Sequence, residues 1–582
     1  MSTKGQQVVR DTGNRLSWAA LVLLAFSLPF ELDRPLWQIG PLAITNVEAL
    51  LLLTLAATAV SLFYSPGQAD PPGFLNRYHG WLALFVGGLL LATLLAPQQQ
   101  GNALKAALRL ISGMLLALAV WQTIRRPGDG RIISGALVLA GLMAAAIGWW
   151  EISQSELAWA GLFRSHITRV GSFLRLTGTF DYANQAAMFI EATLPFLLAA
   201  AWAVNRSHWP RRVKYPLLAL LLLLTLLYLQ AGVLTLSRAS FATIILVCLL
   251  LAAWLAVRQP ARSRQMALWW VGLAGVTAVL TIGNTLLSSQ FRLRLQDGNV
   301  DEWYRTHIVV PPTLALAAGA TIEAPVTVTN EGALVWRSQG ENPILLGARW
   351  IDEAGEQAHG EQRWPFPGPV NPQATVHMNV PVTAPPDPGV YELRWDVVHE
   401  NVTWFGNKSG LFATTLVTVS ANEGQTGPVK PAAVAGDRAA WEYAGPVPNR
   451  TTLWRVGLQM VGQRPLFGIG LDNYRLTYGD WLGLPYSDTT VHTNNFYLEL
   501  LVSLGVIGAL PFLLWSAGLL TDVLRTLRQP EVGMWQTAVA AGLLAFFIHG
   551  FLDFFLLFNA TGLLFWLLVG LWISEKKYAH RL

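Results

Sequence analysis

Twelve apolar runs, centred near Leu23, Leu52, Phe85, Leu115, Leu139, Phe189, Leu222, Ile245, Leu273, Val506, Leu544 and Trp566, constrain this chain more than any other feature. Each approaches the roughly 20 helical residues that a hydrocarbon core demands. Lipid leaves no backbone N–H or C=O a partner outside the chain, so continuous runs of this kind predict helices. A β-barrel is excluded, because barrel strands alternate apolar and polar residues and these runs do not. Composition points the same way. Only 13% of the 582 residues are charged and 53% are hydrophobic, against about 25% charged in a typical soluble protein. The expectation is a polytopic α-helical membrane protein of about twelve transmembrane helices.

The loops set an orientation. Basic residues cluster in the N-terminal tail (Lys4, Arg10, Arg15), in Arg125, Arg126 and Arg131, and in Arg206, Arg211, Arg212 and Lys214. Further clusters are Arg258, Arg262 and Arg264, the DVLRTLRQ stretch and the SEKKYAHRL tail. With twelve crossings all of these fall on one side, which the excess of Lys and Arg makes cytoplasmic, together with both termini. The run Leu16 to Pro29 is followed by DRPLWQIG rather than a small-residue cleavage site, so it reads as an unprocessed segment. The single cysteine, Cys248, permits no intrachain disulfide. A net charge of +5 is no nucleic-acid signature, because its sign is uneven: residues 300–425 carry 14 acidic against 6 basic side chains.

Two loops on the opposite side stand out. The shorter runs from Glu151 to about Tyr182 and carries Arg164, Arg169 and Arg175; the longer runs from about Ser288 to Asn495. The longer one far exceeds an unstructured connection. Within it APVTVTN, ALVWR, PILLGARWI, TVHMNVPV, VYELRWDVV, VTWF and FATTLVTV are short β-branched and aromatic runs, many separated by Asn, Gly and Pro turns. These predict an extracytoplasmic all-β, immunoglobulin-like sandwich inserted between the ninth and tenth helices. The expected organisation is helices one to nine in 1–292, the sandwich in 303–422 and a Gly/Ala/Pro-rich linker in 423–448. An outer loop with the last three helices follows in 449–575, then a cytoplasmic tail in 576–582. The sandwich's tryptophans (Trp303, Trp336, Trp350, Trp364, Trp395, Trp404) read either as core or as platforms for sugar rings. Its acidity argues against an anionic glycan ligand.

Polar groups at the outer face carry the candidate chemistry. Arg238 lies where one helix ends and the next begins, Arg175 on the neighbouring loop, and Arg450 and Arg455 before the tenth helix. Each alone reads as an interfacial arginine snorkelling to head groups; together they suit phosphate oxygens, which guanidinium forks match. Gly468-x-Gly470 lacks the strand–turn–helix setting of a nucleotide loop and predicts a tight re-entrant turn. His492 precedes an apolar run in VHTNNFYLELLVSLGVIG, and a neutral imidazole can take a proton from a hydroxyl at neutral pH. Asn494 and Asn495 read as a helix cap or as glycan contacts. His549 and Asp553, four residues apart, read as a structural hydrogen bond.

Arg450-x-x-x-Trp454-x-x-x-Leu458, RPLFGIGLDNY and HTNNFYLELLVSLGVIG, with RLTGTFDYANQAAMF and LTLSRASFA upstream, resemble the O-antigen ligase and polymerase superfamily over roughly 16–292 and 445–575. The resemblance implies a metal-independent glycosyltransferase of the plasma membrane, with no cofactor. It would move a glycan from a polyprenyl-pyrophosphate carrier to a glycan, lipid or protein hydroxyl at the outer face. It maps Arg175, Arg238 and Arg450, with Arg455 beside them, to pyrophosphate and His492 to the base. Asn184, Asp472, Tyr474, Asn494 and Asn495 are supporting residues. Where family members carry a second histidine, this chain has Asn494. Ligase, polymerase and protein O-oligosaccharyltransferase remain alternatives within the family. A transporter of lipid-linked glycans predicts matching broken helices in two halves, which the sequence lacks. A receptor displaying the sandwich would not need nine preceding helices.

Overall fold

A computed structural model describes residues 3–39, 42–64, 73–126, 128–154, 161–164, 169–170, 173–257, 261–288, 291, 295, 304–332, 335–339, 343–352, 357–400, 403–406, 411–421, 450–482, 487, 489, 491–529 and 532–579. It divides into two compact units. One comprises Met1–Thr168, Leu174–Arg292 and Arg450–Leu582; the other comprises Arg169–Phe173 and Leu293–Asn449. The expected linker at 423–448 and Trp303 lie outside the described residues.

The first unit is helical. Its long helices are α1 (Thr3–Ser27), α2 (Asn46–Phe63), α3 (Gly73–Leu94), α4 (Gln100–Thr123), α5 (Asp129–Gln154), α6 (Ala183–Arg206), α7 (Arg211–Leu234), α8 (Arg238–Ala256) and α9 (Ala261–Leu287). Two short helices, α10 (Arg450–Gln463) and α11 (Tyr474–Leu482), precede α12 (Phe496–Thr526), α13 (Met534–His549) and α14 (Asn559–Ala579). Every apolar run singled out in the sequence is centred within one of these helices. Among the described residues, eight helices are long and apolar enough to cross a membrane. The unit is therefore a polytopic membrane bundle.

Burial orders the bundle. The apolar window of α6 is 89% buried, whereas those of α2 and α9 are 33% buried. The inner helix packs against α7 and α13, while α9 exposes Val279, Ile282, Leu286 and Leu287. Apolar side chains on that scale belong against lipid, since a soluble surface would not leave them in water. Threonine and serine hydroxyls stitch the inner faces: Ser17 of α1 bonds Thr58 of α2 at 2.7 Å and Thr123 of α4 at 2.8 Å. The connections alternate in character. Arg125 and Arg126 (α4–α5), Arg206 (α6–α7) and Arg528 (α12–α13) mark one end of the bundle, and the intervening connections meet at the other.

Short strands β1 (Trp37–Ile39), β2 (Leu42–Ile44), β3 (Arg169–Val170) and β4 (Phe173–Leu174) interrupt the helices. The second unit is a two-sheet β sandwich built from β5 (Thr306–Val309), β6 (Thr313–Ala317), β7 (Thr321–Asn330), β8 (Ile344–Ile351), β9 (Gln362–Pro365), β10 (Thr375–Thr383), β11 (Gly389–His399), β12 (Thr403–Trp404) and β13 (Ala413–Ser420). One sheet runs β10-β7-β5 and the other β6-β13-β11-β8-β9, with β12 on β11. Alternation along β7 turns Ala324, Val326 and Val328 inward, where they meet Leu346, Trp350, Leu393 and Trp395 of the opposite sheet. The expected strand at ALVWR is only an isolated bridge from Trp336 to Val370 among the described residues, and β5, β6 and β9 are additional.

Four of the tryptophans, Trp336, Trp350, Trp364 and Trp395, are core residues. Trp404 is half-buried, with the Arg349 and Arg363 guanidinium carbons each 4.3 Å from its ring centroid. Cation–π contacts thus occupy it.

Candidate functional site

Two left-handed glycines place the polar loop before α12. Gly468 has φ +66° and Gly505, inside α12, has φ +60° with ψ −171°. The second breaks the helical hydrogen-bond ladder, and the segment 464–470 takes up the released groups. Ile469 and Gly470 donate to the Val502 and Ser503 carbonyls at 3.0 and 2.9 Å, while Val506 and Ile507 donate to Pro465 and Leu466 at 2.8 and 3.1 Å. A Cβ on Gly468 would lie 2.5 Å from the Val502 carbonyl oxygen, so only glycine allows this approach. This is the tight turn expected at Gly468-x-Gly470.

The loop above it is held on three sides. Asn495 caps α12, its side chain accepting from Leu498 N–H at 2.9 Å, and its amide donates to the Phe551 carbonyl at 3.1 Å. Trp454 of α10 donates to the Thr493 carbonyl at 2.9 Å, and Thr493 N–H donates to Glu499 at 3.0 Å. Asn494 takes φ +51°, a conformation asparagine tolerates better than most side chains. Tyr474, fully buried, donates its hydroxyl to the Leu453 carbonyl at 2.8 Å. That contact fixes α11 against α10.

His492 is thereby fixed beside a buried carboxylate that sequence reading passed over. Its Nδ1 stands 3.7 Å from Glu499 Oε1, and neither atom has a hydrogen-bond partner. Burial pulls the imidazole pKa down, and the Glu499 carboxylate facing it more than offsets this and leaves it above the ordinary 6.5. Phe554 and Phe558 lie against the ring, with centroids 5.7 and 5.8 Å away. With Nδ1 buried against Glu499, Nε2 is the ring nitrogen left to meet a substrate.

Beside it lies a cavity of about 310 Å³, whose walls include Asn102, Lys105, Arg109, Asp472, Arg475 and His492. Arg475 is held as a fork on Asp472, Nε to Oδ1 and Nη2 to Oδ2, both at 2.8 Å. Arg109 pairs with Glu48 at 3.0 Å. Lys105 makes no ion pair or hydrogen bond among the described residues, so its ammonium is uncommitted on the wall of the same cavity. Lys105 and Arg109 sit four apart on α4 and so share a face. Charges within an apolar run were the available signal for them and for Glu499.

The arginines expected near His492 gather around Asp553, in the turn 550–558 whose Phe554 and Phe558 also pack on the His492 ring. Arg175 donates to the Thr235 carbonyl at 2.7 Å and to Asn184 at 2.9 Å, and Asn184 donates to Asp553 at 2.7 Å. Burial lowers the pKa of Arg450, with Asp553 raising it and the nearby Arg238 lowering it further. Arg175, Asn184, Arg238, Arg450 and Asp553 therefore form one group, and the wall of the His492 cavity is lined by other cations. Arg455 is exposed on α10. Arg164 is buried in an ion pair with Glu151. The hydrogen bond read from the four-residue spacing lies in the backbone, Asp553 N–H donating to the His549 carbonyl at 3.1 Å. The side chains part: the His549 ring turns inward to Glu191 of α6 at 3.0 Å, and the Asp553 carboxylate accepts from Asn184.

The model of the O-antigen ligase family matches residues 409–513. The similarity takes in β13, α10, α11 and the first part of α12. The matched stretch contains Arg450, Arg455, Asp472, Tyr474, His492, Asn494, Asn495 and Glu499, together with the glycine crossing that positions them. Lys105, Arg175, Asn184 and Arg238, on the helices preceding the sandwich, lie outside this O-antigen ligase match. No curated protein matches the sequence.

Proposed function

We propose that this protein transfers a glycan from a polyprenyl-pyrophosphate carrier to an acceptor hydroxyl, with His492 as general base. The observation that carries the reading is His492, backed by the buried Glu499, on the wall of a cavity lined by Lys105, Arg109 and Arg475. A base needs an orienting partner and a place for the proton it takes. In the step, the acceptor O–H gives its proton to Nε2, and the oxygen forms a bond to the anomeric carbon of the donor sugar. The bond from that carbon to the pyrophosphate oxygen breaks, and the electron pair leaves on the carrier pyrophosphate. Glu499 stabilises the imidazolium so formed, and Lys105 offers charge to the leaving anion. Arg238 and Arg450, adjacent cations at the same turn, supply a second anion-holding group.

The pocket-lining connections alternate with the basic ones, which supports an outward-facing cavity with both termini cytoplasmic in the plasma membrane. We assign the sandwich to the immunoglobulin-like class on its two-sheet core.

Vesicles loaded with a labelled polyprenyl-linked glycan test the reading. His492→Ala should lower transfer at least about a hundredfold, the span that general-base catalysis supplies. Undiminished turnover removes His492 from the chemistry. Profiling glycans in a deletion strain separates ligase, which loses attachment, from polymerase, which leaves short chains.

A further inference from the structure

A second chamber of about 220 Å³ shares Arg109, Asp181, Leu557 and Phe558 with the wall of the His492 cavity. Its own walls have the opposite charge. Glu31, Asp33 and Asp181 line it, with Thr45, Thr179, Gln185 and Asn559 between them. We infer that this chamber is a sugar subsite, holding one uncharged sugar residue by its hydroxyls next to the site of transfer. The inference rests on the function proposed above and specifies where part of its substrate lies.

Two buried atoms argue that the chamber is built for a ligand. The Gln185 side chain is 4% exposed and that of Thr179 is 3% exposed, both residues line the space, and Gln185 Nε2 and Thr179 Oγ1 have no hydrogen-bond partner. A buried donor left unpaired costs the folded protein free energy unless something binds to it. An amide and a hydroxyl beside carboxylates present both donors and acceptors, as the hydroxyls of a sugar require.

The alternatives fit less well. Glu31 and Asp33, which line this chamber alone, disfavour a phosphate, so the pyrophosphate belongs at the Lys105 side. Among the described residues no group of carboxylates and imidazoles is gathered to hold a metal ion. Glu31 is already organised as a hydrogen-bonding group, accepting from Thr45 Oγ1 at 2.8 Å and from Asn559 Nδ2 at 2.5 Å. Burial raises its pKa, the Asn559 and Thr45 bonds only partly offsetting this. Phe163 and Phe558 add apolar ring faces of the kind that sugars pack on.

The sugar has two sources, the donor glycan and the acceptor, and kinetics separates them. Gln185→Ala removes an unpaired donor, so its melting temperature in detergent should match or exceed that of the parent. In vesicle transfer it should raise KM for one glycan substrate about fivefold to tenfold, the loss of one neutral hydrogen bond. A rise confined to the lipid-linked donor assigns the chamber to the donor sugar; a rise confined to the acceptor assigns it to the acceptor. An unchanged KM for both overturns the inference. Should the parent catalyse no transfer, the proposed function fails, and the chamber is judged by direct binding. Then galactose, glucose or N-acetylglucosamine, titrated as probes, should raise the melting temperature of the parent and not that of Gln185→Ala. Equal stabilisation of both proteins, or of neither, overturns the subsite.

Discussion

Across 3.7 Å, His492 Nδ1 and Glu499 Oε1 face each other with no other partner, and the sign of that interaction fixes a pH dependence. A raised imidazole pKa keeps His492 protonated to higher pH, and the protonated ring cannot act as base. Transfer should therefore rise with pH through a value above the ordinary 6.5. Replacing Glu499 by Gln removes the group that raises the pKa and leaves the burial that lowers it. The acidic limb of the rate profile should move down by about one unit or more, and the plateau should fall about tenfold or more as the imidazolium loses its counter-charge. An acidic limb that stays in place in Glu499→Gln refutes the pairing. Lys105 and Arg175 form a second contrast. Lys105→Ala should raise donor KM about tenfold, the worth of one charge-assisted hydrogen bond, with little change in melting temperature. Arg175→Ala should lower the melting temperature, because its guanidinium ties the α7–α8 connection to Asn184. If instead Lys105→Ala leaves donor KM untouched, the pyrophosphate does not sit beside it.

At the scale of elements, the crossing of segment 464–470 with the broken turn of α12 holds the loop on which His492 sits. A side chain at Gly505 would be forced into φ +60° and its Cβ pressed into the Leu466 carbonyl group. Gly505→Ala should therefore cost roughly 1–3 kcal/mol for the backbone alone, and more once the two segments separate. The expected readout is a lower melting temperature in detergent together with lost transfer; parent-like values for both would mean the crossing is dispensable. The glycines were visible in the sequence as a turn and a Gly-x-x-Gly run, but not that they interlock, because hydrogen bonds between segments some 35 residues apart leave no local pattern. The helices were legible for the reason that made them obligatory, continuous apolar runs. Strands β7, β8, β10, β11 and β13 were legible as β-branched and aromatic runs set between turns, whereas β5, β6 and β9, of four or five residues, are too short to stand out. His492 and Asn495 stood out as polar groups at the edge of an apolar run. Glu499 and Lys105 did not: Glu499 meets His492 only because the Asn494–Asn495 turn folds the loop back onto the first turn of α12, and Lys105 reaches the same cavity from a helix far earlier in the chain.

For the molecule as a whole, every connection that lines the two chambers is separated from the next basic connection by one crossing. Residues 28–33 and 45, the start of α4, residues 163 and 179–185, Asp472, Arg475, Thr489 and His492, and residues 557–560 belong to one end; Arg125, Arg126, Arg206 and Arg528 belong to the other. A carrier-linked glycan presented outside the cell can reach the chambers only if that end faces outward, so orientation and function stand together. The lone cysteine gives a clean assay, because Cys248 is 2% exposed and should stay silent toward a membrane-impermeant maleimide. Leu36, 47% exposed on the chamber side, and Arg126, exposed on the basic side, accept a substituted cysteine without disturbing the core. In intact spheroplasts Leu36→Cys should label at once, and Arg126→Cys only after permeabilisation. The reverse pattern would turn the chambers toward the cytoplasm, where neither His492 nor Lys105 could meet an outward-displayed glycan, and the proposed transfer would fail on topology alone.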